Sequence, residues 1–530
     1  MGLPVLVAVV AIEAYGHAIW ELAGPHRGWL LEALVAVFAL CAATGLVRYP
    51  SEARPVRIIV TGLSLVMGLY GLALGHSIAV APDQDGASVD LALQLGTVLL
   101  VVATVMSLVR PSFAVFPFVY VALHKALTRS LSGANELGVN DYLPLVEVGL
   151  FLAVGVVALS LARTALVGRD KALHEPVVLG ATVLLAAAIG AHLGNYVMSG
   201  VEKMALDGGL LSWAFENPTS ALMLNGYNLG AAPLSAWPAL FGWAYEAFRA
   251  VEVPINILTL FAQITCALAF LDRRLLIGYA AFFDAMHVTI FVLTGALFVP
   301  WIVLNSLIVA AALRLPSSRL PRAAVAVGVV TTLFGNVLFY NAHLGWYDSR
   351  QARVGSFVAV VDDGREVPVP SSYFREASYL LLTRHFGYRQ TSYPSGHAPT
   401  SAWGQIGLHH NLNGAVAYTR HAMMTAGRSC SIPLAQPAMV DYDATRPAPF
   451  VRAQHARALG YEERGETNRY YAYPHHHFAM PWLFRDFSAL KPSQIVGYKY
   501  RVETVCLDFA DGRFQRDVLA KTTSPLITVR

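Results

Sequence analysis

The sequence predicts a polytopic α-helical membrane protein, with about 9–11 transmembrane helices and a C-terminal extracytoplasmic α+β domain. Three observations lead there. The 530 residues are 55% hydrophobic and only 14% charged, with a mean hydropathy of +0.50, against about 25% charged residues in an ordinary soluble domain. Apolar runs follow one another from Met1 to about Tyr340. From Asn341 onward no run reaches the roughly 18 apolar residues that a crossing helix needs, and the pattern turns to period two. The chain therefore divides into a membrane domain, residues 1–341, and an extracytoplasmic domain, residues 342–530.

Eleven candidate spans fall near residues 3–23, 28–47, 58–80, 91–109, 112–127, 142–163, 175–198, 251–271, 275–297, 299–313 and 323–341. The first, MGLPVLVAVVAIEAYGHAIW, lacks a basic start and a small-residue cleavage site, so it reads as a spanning helix and not as a signal peptide. Loop charge orients the set, because Lys and Arg favour the cytoplasmic side. The clusters Arg48/Arg54/Arg57, Arg163/Arg169/Lys171, Arg273/Arg274 and Arg314/Arg319/Arg322 share one side if the amino terminus is cytoplasmic. Asp83, Asp85 and Asp90 then lie opposite, and an odd number of spans carries the C-terminal domain outside. A bacterial plasma membrane is the default location.

The stretch from Ser199 to Pro254 is half apolar and rich in Gly, Asn and Trp, which predicts short helices at the outer membrane surface or one further span. Beyond Asn341, VAVVDDGREVPVP and IVGYKYRVETVCLDFADGRFQRDVLAK each read as a β-hairpin, about Asp-Asp-Gly and Ala-Asp-Gly turns. Between them SSYFREASYLLLTRHFG has helical spacing, with Tyr373, Ala377, Leu380, Leu381 and Phe386 near one face.

The string PSGH at Pro394–His397 invites a lipid-phosphatase reading, since that motif holds phosphate in the type 2 phosphatidic acid phosphatases. The chemistry also needs a cationic clamp upstream and a histidine nucleophile behind a Ser-Arg downstream. Neither is present around His409, His410 or His421, which leaves Pro394-Ser395-Gly396 as ordinary turn residues.

A different resemblance lies at the end of the seventh run. HLGNYVMSGVEKMALDGGLLSW, from His192 to Trp213, resembles a block of the vitamin K-dependent gamma-glutamyl carboxylases and the wider HTTM membrane family, with Tyr196, Gly200, Lys203 and Trp213 in the family order. YAAFFDAMHVTIFVLTGALFVPW, from Tyr279 to Trp301, is similar to a later family helix and carries Asp284 and His287. Asn140-Asp141-Tyr142 resembles a third block, with Asp141 near the place of a family histidine. These short blocks cover roughly residues 1–315. The resemblance implies a membrane quinol as cosubstrate at the outer face, O2 or CO2 as further reactants, and Lys203 as the base that deprotonates the quinol. It further implies His287, Asp284 and Asp141 as catalytic neighbours, with Tyr196, Trp213 and Asn140 as cofactor-binding residues.

Physical chemistry is compatible with a lysine base, since burial in an apolar pocket favours the neutral amine; the competing reading is a lysine that snorkels to the interface. Glu13, His17 and Glu21 recur every fourth residue on one face of the first run, and line a cavity or meet another helix. His76, His124, Glu147 and His192 are further polar residues in apolar runs, and Asp284 can orient the His287 imidazole three residues later.

Ten of the 17 histidines fall after Asn341, so a histidine-ligated metal site is a rival expectation, with His397, His409, His410, His475 and His477 as candidate ligands. Cys430 and Cys506 both fall outside in this topology, where a disulfide is permitted. A net charge of +4 without a basic patch excludes nucleic acid as a partner. The expected partners are the lipid bilayer and a secreted protein or peptide substrate. Three functions follow: a quinol-dependent membrane enzyme, a non-enzymatic assembly or maturation factor that binds a secreted partner, and a metal-dependent membrane oxidoreductase.

Overall fold

A computed structural model describes residues 3–24, 26–45, 48–50, 53–75, 87–131, 143–167, 174–315, 317–339, 344–377, 388–390, 430, 439–442, 447–466 and 484–529. Every apolar run named above holds a helix. In order these are α1 (Leu3–Ala23), α2 (Leu30–Ala43), α3 (Arg54–Leu74), α4 (Ala87–Ser107), α5 (Val115–Leu131), α6 (Leu143–Val167) and α7 (His174–Met204). Short helices α8 (Ser212–Glu216) and α9 (Ala221–Asn228) precede α10 (Pro238–Thr265), α11 (Arg273–Thr294), α12 (Val299–Ala312) and α13 (Arg322–Phe334). Seven of them, α1, α3, α4, α6, α7, α10 and α11, are long and apolar enough to cross a membrane. The chain is built as a membrane protein.

Two expectations need correction. The eighth span begins at Pro238 and not near Val251: AWPALFGWAYEAF supplies the first half of α10, because Phe241, Gly242 and Tyr245 bury one side of a continuous helix. Only the first part of the Ser199–Pro254 stretch forms short helices. The second correction concerns α1. Glu13, His17 and Glu21 are exposed and face away from the described helices, since Ala8, Ile12 and Ile19 take the buried side against α5 and α6.

Around α7 the helical layer is densest. Its small residues let α13 approach closely, and a Cβ on Gly190 would stand 1.9 Å from Thr331 Oγ1 and 2.5 Å from the Gly328 carbonyl. Backbones that close leave no room for a side chain.

The C-terminal part carries an antiparallel sheet in the order β2-β1-β5-β6, with β7 also paired to β5. Its strands are β1 (Gln351–Val361), β2 (Glu366–Pro368), β5 (Ile495–Ala510), β6 (Arg513–Thr523) and β7 (Ile527–Thr528); β3 (Tyr388–Gln390) and β4 (Met439–Tyr442) form a separate pair. Both expected hairpins are present. The helical expectation over 371–387 is met in part, by a 3₁₀ helix at Ser371–Ala377, and the remainder lies outside the described residues. Helices α14 (Pro447–Glu463) and α15 (Arg485–Ser488) complete this part. Cys430 and Cys506 form a disulfide that ties residue 430 to β5.

The sheet shares a core with the helices. Ala352, Val505, Leu507 and Phe509 pack with Met223 and Leu224 of α9 and Phe241 and Tyr245 of α10. The Arg350–Asp508 ion pair lies beside this layer.

Candidate functional site at the end of helix α7

Lys203 occupies the last turn of α7 and is 7% exposed. A lysine in such a place needs partners. Its Nζ donates to the carbonyl of Leu344 at 3.0 Å and, at 3.4 Å, to that of Ser199 one turn back. The Trp213 ring of α8 lies under the same nitrogen, 5.0 Å away, which adds the attraction of a cation for a π face when the amine is charged.

Leu344 belongs to a strap, residues 344–349, that crosses the end of α7 before the chain becomes β1. The strap is sewn down residue by residue. Tyr347 Oη donates to the Asp207 carbonyl at 2.6 Å and is 2.6 Å from Ser212 Oγ. The Asp348 backbone N–H donates to Asn217 Oδ1 at 2.7 Å, while Asn217 Nδ2 donates to Asp348 Oδ2, also at 2.7 Å. Trp346 Nε1 donates to Asp348 Oδ1 at 3.1 Å. Asn256 of α10 donates to the Asn217 carbonyl at 3.0 Å, and Asn225 of α9 to the Ser349 carbonyl at 2.9 Å.

Burial pushes the Asp348 carboxyl up to about 7, against the pull of its Asn217 and Trp346 donors and of the Lys203 charge. The balance places its titration near neutrality. A buried titratable carboxyl near a buried amine is a feature of sites that move protons as well as of structural networks.

Deeper along α7 lies a second polar group. Tyr196 is two turns before Lys203, roughly 10 Å along the same side of the helix. Its hydroxyl accepts from Asn305 Nδ2 at 2.9 Å, and Asn305 Oδ1 is 2.8 Å from His192 Nε2. The Tyr196 ring stacks on Phe283 with centroids 3.7 Å apart and lies 5.8 Å from the His287 ring. His287 is buried against Phe298 and Trp301. Asp284 Oδ2 accepts from Ser306 of α12 at 2.9 Å.

The expected residues thus divide into groups. Lys203 and Trp213 touch each other, while Tyr196, Asp284 and His287 gather two turns deeper. Asn140 and Asp141, and the candidate ligands His397, His409, His410, His475 and His477, lie outside the described residues. Among the described residues there is no cluster of three or more His, Cys, Asp or Glu that could hold a metal.

The residues missed from sequence are Asp348, Asn217, Asn256 and Asn305. Asn305 carried a usable signal, an amide alone in the apolar run WIVLNSLIVAA. Asp348 carried none, since one aspartate just past the apolar region looks like any loop residue.

Among the described residues, two buried polar atoms beside the end of α7 have no hydrogen-bond partner: Trp213 Nε1 and Gln263 Oε1. Gln263 comes from α10, where its Cβ would be 3.1 Å from a side chain at Gly200. An unpaired donor and an unpaired acceptor in buried positions each cost about 1–3 kcal/mol, which a hydroxyl- or carbonyl-bearing molecule would relieve. No family model, curated protein or solved structure matches this chain.

Proposed function

We propose that the chain is an integral membrane enzyme of the vitamin K-dependent carboxylase and HTTM type, which takes a proton from a membrane quinol at the outer membrane face with Lys203 as base. The observation that carries this reading is the setting of Lys203: a buried amine whose donors meet two backbone carbonyls. A neutral amine has two N–H groups and one lone pair. With both donors engaged, the lone pair stays available to accept a proton.

The hydrogen-bonding chemistry of a quinol matches the two unpaired atoms, Gln263 Oε1 as an acceptor for its hydroxyl and Trp213 Nε1 as a donor to its oxygen. When bound, the quinol supplies a weakly acidic aromatic hydroxyl. The chain's own residues do the rest: Trp213 flanks the amine, the strap excludes water from it, and Asp348 stabilises the positive charge once Lys203 has taken the proton.

The test is Lys203→Ala in the purified full-length protein. General-base catalysis contributes typically 10²–10⁴-fold, so quinol-dependent turnover should fall by about that factor, while quenching of tryptophan fluorescence by added quinol persists. Wild-type turnover in Lys203→Ala, or purified protein whose organic extract and fluorescence both show no quinone binding, sinks the reading. A second reading, a maturation factor that binds a partner protein, is favoured by a cavity at the edge of the sheet.

A further inference from the structure

That cavity has a volume of about 260 Å³ and lies along β1 at the point where β2 ends. It is smaller than the roughly 300–1,000 Å³ of ordinary small-molecule sites, and five consecutive β1 residues, Val354 to Val358, line it. The β1–β2 register explains why it is there. Ala359 pairs with Val367, and the Val369 N–H donates to the Phe357 carbonyl at 2.9 Å. The next ladder position along the same edge belongs to Gly355, but after Pro370 the chain turns into the 3₁₀ helix at Ser371–Ala377 and leaves that position open.

The register with β5 pairs Val354 with Glu503 and Ser356 with Arg501. Since Arg350 of β1's approach bonds Leu507, even-numbered residues here turn their main chain to β5 and odd-numbered ones to the open side. The Gly355 N–H and C=O therefore point into the cavity. Gly355 is buried, and its main chain makes no hydrogen bond on that side among the described residues. A buried peptide group without partners is costly and rare in folded proteins.

The two walls differ in chemistry. Toward the sheet's core the lining is aromatic, with Phe357, Phe374 and Phe484. On the opposite face it is polar, with Ser356, Arg501 and the ion pair of Arg516 with Glu503. Arg501 pairs with Glu366 through one terminal nitrogen, and its Nε is buried without a partner.

We propose that this edge binds an extended polypeptide segment of another protein as an added strand in line with β2. The segment bonds the Gly355 main chain, places apolar side chains against Phe374 and Phe484, and places acidic ones beside Arg501. An extended strand presents its side chains alternately to its two faces, so the ligand has alternating apolar and acidic residues; main-chain pairing gives affinity and the two walls give sequence preference. The inference is independent of the quinol reading, because binding requires neither Lys203 nor a quinol.

The experiment uses full-length protein in detergent and a fluorescein-labelled peptide of alternating valine and glutamate, read by fluorescence anisotropy without added quinol. Saturable binding is expected, with a Kd at least tenfold lower than that of the same peptide carrying N-methylated backbone amides. Arg501→Lys, which keeps a cation for Glu366 but removes the Nε donor, should weaken binding several-fold. Gly355→Pro should abolish it, since proline removes the N–H; tolerance of proline on an edge strand is checked by circular dichroism. Equal binding of the methylated and parent peptides, wild-type binding by a folded Gly355→Pro variant, or no saturable binding up to millimolar peptide overturns the proposal.

Discussion

Asp348 and Lys203 hold one electrostatic balance between them. Burial pushes the Asp348 carboxyl up to about 7, so the folded chain binds that proton more tightly than the unfolded chain does. The resulting stability is fully present below the unfolded carboxyl value near 4 and is lost as pH rises through about 7. The wild-type melting temperature in detergent should therefore fall by several degrees between about pH 5 and pH 8. Asp348→Asn, which cannot ionise, should show a shallower fall. An identical slope in the two proteins would show that this carboxyl does not titrate in that window.

At the scale of elements, the α7–α13 contact decides how firmly the lysine-bearing helix is held. A side chain at Gly190 has no space beside Thr331 and Gly328, and overpacking of this kind costs typically about 1–3 kcal/mol. Gly190→Leu should lower the melting temperature, whereas Gly16→Leu should not, because nothing lies within 4 Å of a Cβ at Gly16.

The helices were legible in the sequence because a membrane span is written in consecutive residues. The α10 boundary was not. Trp, Tyr and Glu in AWPALFGWAYEAF dilute its apolar character, and the face it buries packs against Phe509, some 270 residues later. The same holds for the site. Lys203 and Trp213 are close in sequence and could be named together, while Asp348 is brought to them only by tertiary structure.

For the whole molecule the question is how the sheet stays seated on the helical layer. Phe509 meets the helices at Gly242, where a Cβ would stand 2.3 Å from its ring. Phe509→Ala empties that contact and should cost about 3 kcal/mol, toward the lower end for large aromatic truncations. Faster trypsin cleavage after Arg350 is the expected readout; unchanged cleavage would mean that the strap alone holds the two layers together.

The strap also sets an order in time. Lys203 leaves the ribosome 141 residues before Leu344 does, which at about 5–20 residues per second is a wait of roughly 7–28 s. During that interval Asn217 and Asn225 lack the Asp348 and Ser349 partners that they have in the finished protein. The amine site is thus assembled late in biogenesis, and a nascent chain that stalls before residue 344 carries a lysine without its cover.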